Sequence, residues 1–214
     1  MYIPGINRFE DQEEIFRFIK ENPFAILIQE IGGILHATHM PVELEFDAQQ
    51  KPLLRAHLAR ANPQSKAMQE QVPVLVIFNG PHTYISSSWY DHMNVPTWNY
   101  VAVHVYGVPS VLTGDDAIAL LRRLTDRYEQ FSEKPFHIDD LSQEYMESHM
   151  QALTAFEITP DRIEAKKKLS QNRDRKNFDH ILDKLGERED EQSKAVKQEM
   201  EKIKEQIKGK NKGQ

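Results

Sequence analysis

The sequence predicts a mainly β fold with added helices, an α+β protein built around an antiparallel barrel. Three observations carry that prediction. Runs of aromatic and β-branched residues follow one another, punctuated by Gly, Pro, Asn and Asp. In the longest run Val101, Val103 and Val105 alternate with Ala102, His104 and Tyr106, the period-two pattern of a strand. A few separate segments instead place apolar residues at helical spacing.

The elements follow in order. Glu10 to Asn22 sets Ile15, Phe18 and Ile19 on one helical face, and Asn22-Pro23 stops the helix. FAILIQEI, Gly32-Gly33 and ILHATHMPVELEF read as a hairpin around a Gly-Gly turn, with Pro41 ending or bulging the second strand. After the turn DAQQKP comes the strand LLRAHLA, and Asn62-Pro63 opens a short helix through Met68. VPVLVIFNG reads as a buried strand closed by Gly80-Pro81, followed by the strands TYISSSWY and TWNYVAVHVYGV. Thr113 to Asp116 offer caps for a helix from Ala117 to Phe131, and residues 141 to 151 are helical too. ALTAFEITPDRIEAKKKL then predicts two strands around a Thr159-Pro160-Asp161 turn.

This organisation predicts a barrel domain with packed helices over residues 1–186 and a charged helical tail over 187–214. In the tail Val196, Met200, Ile203 and Ile207 form a narrow stripe. Such a stripe suits either a solvated helix or a short dimerisation seam.

Composition narrows the function. The chain has no Cys, which removes disulfides, thiolate metal ligands and thiol nucleophiles. No apolar run is long enough to span a bilayer, and the start MYIPGINRFEDQEE lacks the basic-then-apolar pattern of a secretion signal. The expectation is a cytoplasmic protein without a membrane partner. Residues 1–160 hold 11 Lys/Arg against 21 Asp/Glu, whereas residues 161–214 hold 16 against 12. An acidic body repels a phosphate backbone, so direct DNA binding is disfavoured unless the tail or a partner supplies it. The two helices at 114–131 and 141–151 are separated by nine residues and both acidic, which is not a helix-turn-helix. There is no G-x-G-x-x-G after a strand, no Walker lysine loop, no H-E-x-x-H, and no G-x-S-x-G around Ser86-Ser87-Ser88. His36 and His39 fall on opposite strand faces and make a poor metal pair, so no metal site is expected.

Four segments are dense in recognition groups: THMP at 38–41, HLARANP at 57–63, GPHTYISSSWY with VPTWNYVAVHVYG between 80 and 107, and KLSQNR at 168–173. Arg60 offers a planar fork for phosphate beside the backbone N–H groups that follow Pro63. A surface ion pair for Arg60, with Asn62 capping the short helix, is the competing reading. Lys168, Ser170, Gln171 and Arg173 suit a phosphate or a ribityl chain, or form a polar loop in which Asn172 caps the next helix. Trp89, Tyr90, Trp98 and Tyr100 suit a core or an interface.

Together with the MYIP start, these segments resemble the PaiB-type FMN-binding negative transcriptional regulators, from residue 1 to about residue 185. The resemblance implies a split β-barrel related to the pyridoxamine phosphate oxidase group, forming a homodimer with FMN at the interface. It implies Thr38 and His39 at the edge of the flavin ring, and His57, Arg60, Asn62 and Lys66 around the strand end that holds phosphate. Trp98 or Tyr100 would then cover the flavin of the other subunit, with Lys168, Ser170, Gln171 and Arg173 completing the set. Related barrels place Ser where this chain has Ala59, and the family pattern has Pro where Ser87 stands. The implied function is repression exerted indirectly. A flavin-dependent oxidoreductase is the alternative. A haem-binding barrel is a further one, with His39, His57, His104 and His149 as candidate axial ligands.

Overall fold

The computed structural model describes residues 1–210, with side chains as far as Lys204. Ile207, the last member of the tail stripe, lies outside the described side chains. In chain order the elements are α1 (Gln12–Glu21), β1 (Phe24–Ile31), β2 (Ile34–Pro41), β3 (Glu43–Phe46), β4 (Pro52–Ala59) and α2 (Pro63–Gln69). They continue with β5 (Val74–Ile85), β6 (Thr97–Leu112), α3 (Gly114–Glu129), α4 (Gln143–Gln151), β7 (Leu153–Lys168), α5 (Arg175–Gly186) and α6 (Glu191–Lys210). The seven strands form one antiparallel sheet in the order β2-β1-β5-β6-β7-β4-β3, so the expected α+β class stands. Among the described residues no helix is long and apolar enough to cross a membrane.

Contact density divides the chain into two units. The first comprises residues 1–15, 79–103 and those from 164 onward; the second comprises residues 16–78 and 104–163. The core of the second contains Leu27, Leu54, Met68, Phe78, Phe156 and Ile158, all with at most 1 % of their surface exposed. In the first, Ile85, Leu169, Ile181, Leu185, Val196 and Met200 are equally enclosed. Burial of each such side chain contributes about 1.5–3 kcal/mol.

The turn chemistry is as the residues demand. β1 and β2 pair in register from Phe24↔Pro41 to Ile31↔Ile34, leaving Gly32 and Gly33 as a two-residue loop with φ of 60° and 83°. Asn62 caps α2 by accepting the Gln64 N–H at 2.9 Å and donates from Nδ2 to the Thr38 hydroxyl at 2.9 Å. Asn62→Ala is therefore expected to cost about 1 kcal/mol, lowering the thermal midpoint by roughly 2–4 °C. A midpoint that does not move on calorimetry would show that the cap contributes nothing.

Three expectations need correction. β7 is one 16-residue strand and not two strands around Thr159-Pro160-Asp161. Within the second unit Gly107 of β6 leaves room for the Thr159 carbonyl, so the strand runs straight through Pro160. β5 likewise continues through Gly80-Pro81 to Ile85. The tail stripe is not solvated: Val196 and Met200 are fully buried and Ile203 nearly so, all within the first unit. There the Lys167 ammonium is held between Glu199, at 2.9 Å, and Glu14, while Ser193 meets Thr83 at 2.9 Å. One charged anchor, one hydroxyl pair and three apolar contacts thus seat a helix whose sequence is otherwise polar.

Candidate functional site

The expected site residues fall into two groups, one in each unit. In the first unit, β6 begins its alternation with Thr97 and Asn99 on one face and Trp98 on the other. Thr97 and Asn99 line a cavity of about 220 Å³ together with Lys168, Ser170, Asn172 and Arg173, and with Pro4, Ile6 and Asn7 of the N-terminal segment. Ser170 adopts φ 62°, which turns the chain out of β7, and the Arg173 N–H closes the turn on the Ser170 carbonyl at 3.0 Å. The floor of the cavity is polar and enclosed. Asn99 is fully buried and donates from Nδ2 to the Ser170 hydroxyl at 3.0 Å, while that hydroxyl lies 3.1 Å from Asn99 Oδ1.

Two cations stand over this floor. Lys168 donates to the Thr97 hydroxyl, and burial holds its ammonium below the usual lysine range, the charges of Lys166 and Arg173 adding to the effect. Arg173 lies 4.8 Å from the Tyr90 ring, and its Nε is buried without a hydrogen-bond partner. Among the described residues neither cation is paired with a carboxylate. A buried donor without a partner is costly and is retained where a ligand satisfies it. The arrangement suits an anion.

Of the KLSQNR residues, Gln171 takes another role. Its Oε1 accepts the Leu169 N–H at 2.7 Å and its Nε2 donates to the Lys167 carbonyl at 2.5 Å, so it braces the turn. Asn172 faces the cavity, and Asp174 rather than Asn172 caps α5. Trp98, half exposed, sits with His82 and Tyr84 at ring distances of 6.3 and 6.0 Å on the opposite face of β6 from Thr97 and Asn99.

In the second unit, Thr38 receives the Asn62 amide and donates to Gln64 Oε1, which joins β2 to α2. His39 lies on the other face of β2 and stacks on Phe24, with ring centroids 6.0 Å apart. His57 is half buried on β4; its Nδ1 has no hydrogen-bond partner, and desolvation lowers its pKa, which keeps it neutral at pH 7. Lys66 is exposed and 3.6 Å from Glu70, a helical surface pair. The N–H groups after Pro63 are already used, Gln64 by the Asn62 side chain and Ser65 by the Asn62 carbonyl. Arg60 Nη2 donates to the Leu153 carbonyl at 2.8 Å and lines a different cavity from Lys168 and Arg173. Of the other histidines considered as axial ligands, His149 stacks on Tyr145 at 3.9 Å.

Thr97 and Asn99 were not singled out from the sequence, because an aromatic-rich strand reads as core. The available signal is a polar Asn third in a strand of aromatic and β-branched residues.

Residues 1–162 match the family described as "Putative FMN-binding domain". The chain is 38 % identical over 209 residues to the Bacillus subtilis protein named "Protease synthase and sporulation protein PAI 2", covering 97 % of this chain and 100 % of that one. An uncharacterized protein of Emericella nidulans is 26 % identical over 223 residues, covering 85 % of this chain and 89 % of its own. The fold matches the FAD and haem binding protein from Mycobacterium smegmatis with a TM-score of 0.57 at 18 % identity, covering 75 % of this chain and 73 % of that one. The flavocytochrome Anf3 from Azotobacter vinelandii matches at 0.54 and 17 % identity, covering 74 % and 67 %.

Proposed function

The chain belongs to the FMN-binding domain family, and on that premise we propose that it binds FMN by its phosphate in the Lys168–Arg173 cavity. One observation carries the reading: two cations without carboxylate partners stand over a floor of buried Asn99 and Ser170 in a protein of net charge −6. A cavity of about 220 Å³ takes a phosphomonoester and the adjoining polyol, and leaves a tricyclic ring outside. Lys168 and Arg173 would hold the phosphate, with Ser170 and Asn99 toward the ribityl hydroxyls. The resemblance implies Thr38 and His39 at the edge of the flavin ring and Trp98 over it, with His57, Arg60, Asn62 and Lys66 as the alternative phosphate set, and each is tested by single substitution. FMN bound here supplies electron or hydride transfer.

Fluorescence titration tests the phosphate reading. FMN is expected to bind at micromolar levels, and riboflavin, which lacks the phosphate, about 100-fold more weakly or worse, since each charge-assisted contact contributes about 1.5–3 kcal/mol. Equal affinities would overturn it.

The pH dependence has a definite sign. A phosphomonoester gains its second charge near pH 6, so affinity rises as pH passes that value. Burial lowers the pKa of Lys168 in the free protein, and a bound phosphate raises it. Affinity is therefore full below the free-state pKa and falls as pH climbs through it, below the range of an exposed lysine. A flat profile above neutrality would remove Lys168 from the site.

We further propose a homodimer that represses transcription, as the family resemblance implies, and that does so indirectly, through flavin state or a partner. Residues 1–160 carry a large acidic excess, which opposes direct DNA contact. Light scattering that gives a monomeric mass would sink the first part. A sequence-specific gel shift by the protein alone at moderate salt would sink the second. Turnover of NADH or NADPH with an acceptor would make the protein an oxidoreductase instead.

A further inference from the structure

We propose that the second unit carries a separate site for a small apolar monocarboxylate, in the cavity whose charged wall is Arg60. This cavity shares no lining residue with the Lys168–Arg173 cavity. The cavity has a volume of about 440 Å³, within the range that holds small-molecule ligands. Its apolar wall is made by Leu112 at the end of β6, Ala117 of α3, Met150 at the end of α4, and Leu153 and Ala155 of β7. These side chains are buried or half buried, whereas the polar members Arg60, Gln69, Thr113 and Gln151 are exposed; Thr154 is buried, with its hydroxyl spent on Ser65 at 2.6 Å. The result is an apolar floor with a polar rim.

Arg60 is held in place for such a role. Its backbone N–H donates to the Ala152 carbonyl at 2.8 Å, and its Nη2 donates to the Leu153 carbonyl at 2.8 Å. Among the described residues Nε and Nη1 have no hydrogen-bond partner, and Arg60 has no carboxylate partner. That is unusual in a segment where acids outnumber bases about two to one. The free edge of the guanidinium matches the two oxygens of a carboxylate.

Charge selects a monoanion over a phosphate dianion. Arg60 is the one cationic residue among those lining the cavity, and Asp115 and Asp116 follow Gly114 of its rim in the first turn of α3. A second negative charge would be repelled there. The floor selects an alkyl or aryl body, because burying each methylene contributes about 0.8 kcal/mol.

Calorimetric titration of the full chain with octanoate, butyrate and octanol tests the site. Octanoate is expected to saturate with a Kd of about 1 mM or lower. Butyrate should bind at least about tenfold more weakly for want of four methylenes, and octanol at least about tenfold more weakly for want of the charge. Arg60→Gln should weaken octanoate about tenfold or more, with partial recovery in Arg60→Lys, which keeps the charge and loses the fork. Because Arg60 also ties down the α4–β7 connection, Gln151→Trp provides a second variant: an exposed rim residue enlarged to obstruct the cavity, abolishing octanoate binding while leaving FMN titration unchanged. Absence of saturation up to about 10 mM octanoate would overturn the proposal, as would octanol binding as tightly as octanoate, or unchanged binding in both Arg60→Gln and Gln151→Trp.

Discussion

Lys168→Met and Arg173→Gln are each expected to weaken FMN binding by about 10- to 150-fold, the effect of losing one charge-assisted contact of about 1.5–3 kcal/mol. Riboflavin affinity should barely change, so both variants should erase most of the preference for the phosphorylated flavin. That discrimination separates contact with the phosphate from general damage to the fold. Stability provides a second separation. The Lys168 ammonium is partly desolvated and, among the described residues, unpaired by a carboxylate, so its removal should leave the thermal midpoint unchanged or raised. The double variant should lose less than the sum of the two, because both cations meet one phosphate. If neither substitution moves FMN affinity, the phosphate is held elsewhere, and Arg60→Ala with Lys66→Ala become the variants to measure.

Gly107→Ala should destabilise the protein by about 3 kcal/mol or more. A methyl group at this position would lie 2.3 Å from the Thr159 carbonyl oxygen and 2.8 Å from Ile158 Cγ2. The closer obstacle is backbone, which no rotamer change relieves, so β6 and β7 would have to separate inside the second unit. The thermal midpoint should fall by roughly 6–12 °C, at 2–4 °C per kcal/mol for a chain of this size. Gly5→Ala is the control, since a methyl there meets nothing within 4 Å. Equal midpoints for the two variants would contradict the close approach of the strands.

The local signals were legible and the long-range ones were not. Gly32-Gly33 determines a two-residue hairpin because both positions need positive φ, and Asn62-Pro63 determines a capped helix start, because each depends on neighbours in the chain. Thr159-Pro160-Asp161 carries equally strong turn chemistry, yet the strand continues, because Gly107 on the adjacent strand accommodates it. The stripe of α6 was visible as a pattern, but its burial depends on Thr83, Glu14 and Lys167, more than twenty residues away from it or further.

The candidate site divides in the same way. KLSQNR is legible as a concentration of donors, and residue type alone assigns Lys168 and Arg173 to an anion. Composition also determines an acidic protein without cysteine chemistry, and spacing determines most of the strands and helices. Only the tertiary structure decided that Gln171 is spent on its own turn, that Thr97 and Asn99 join Lys168 and Arg173, and that Arg60 faces another cavity. The physical reason is range. A turn or a cap is closed by atoms a few residues apart, whereas the partners of a cation are set by which strands lie beside it, and its chemistry follows from whether those partners neutralise it.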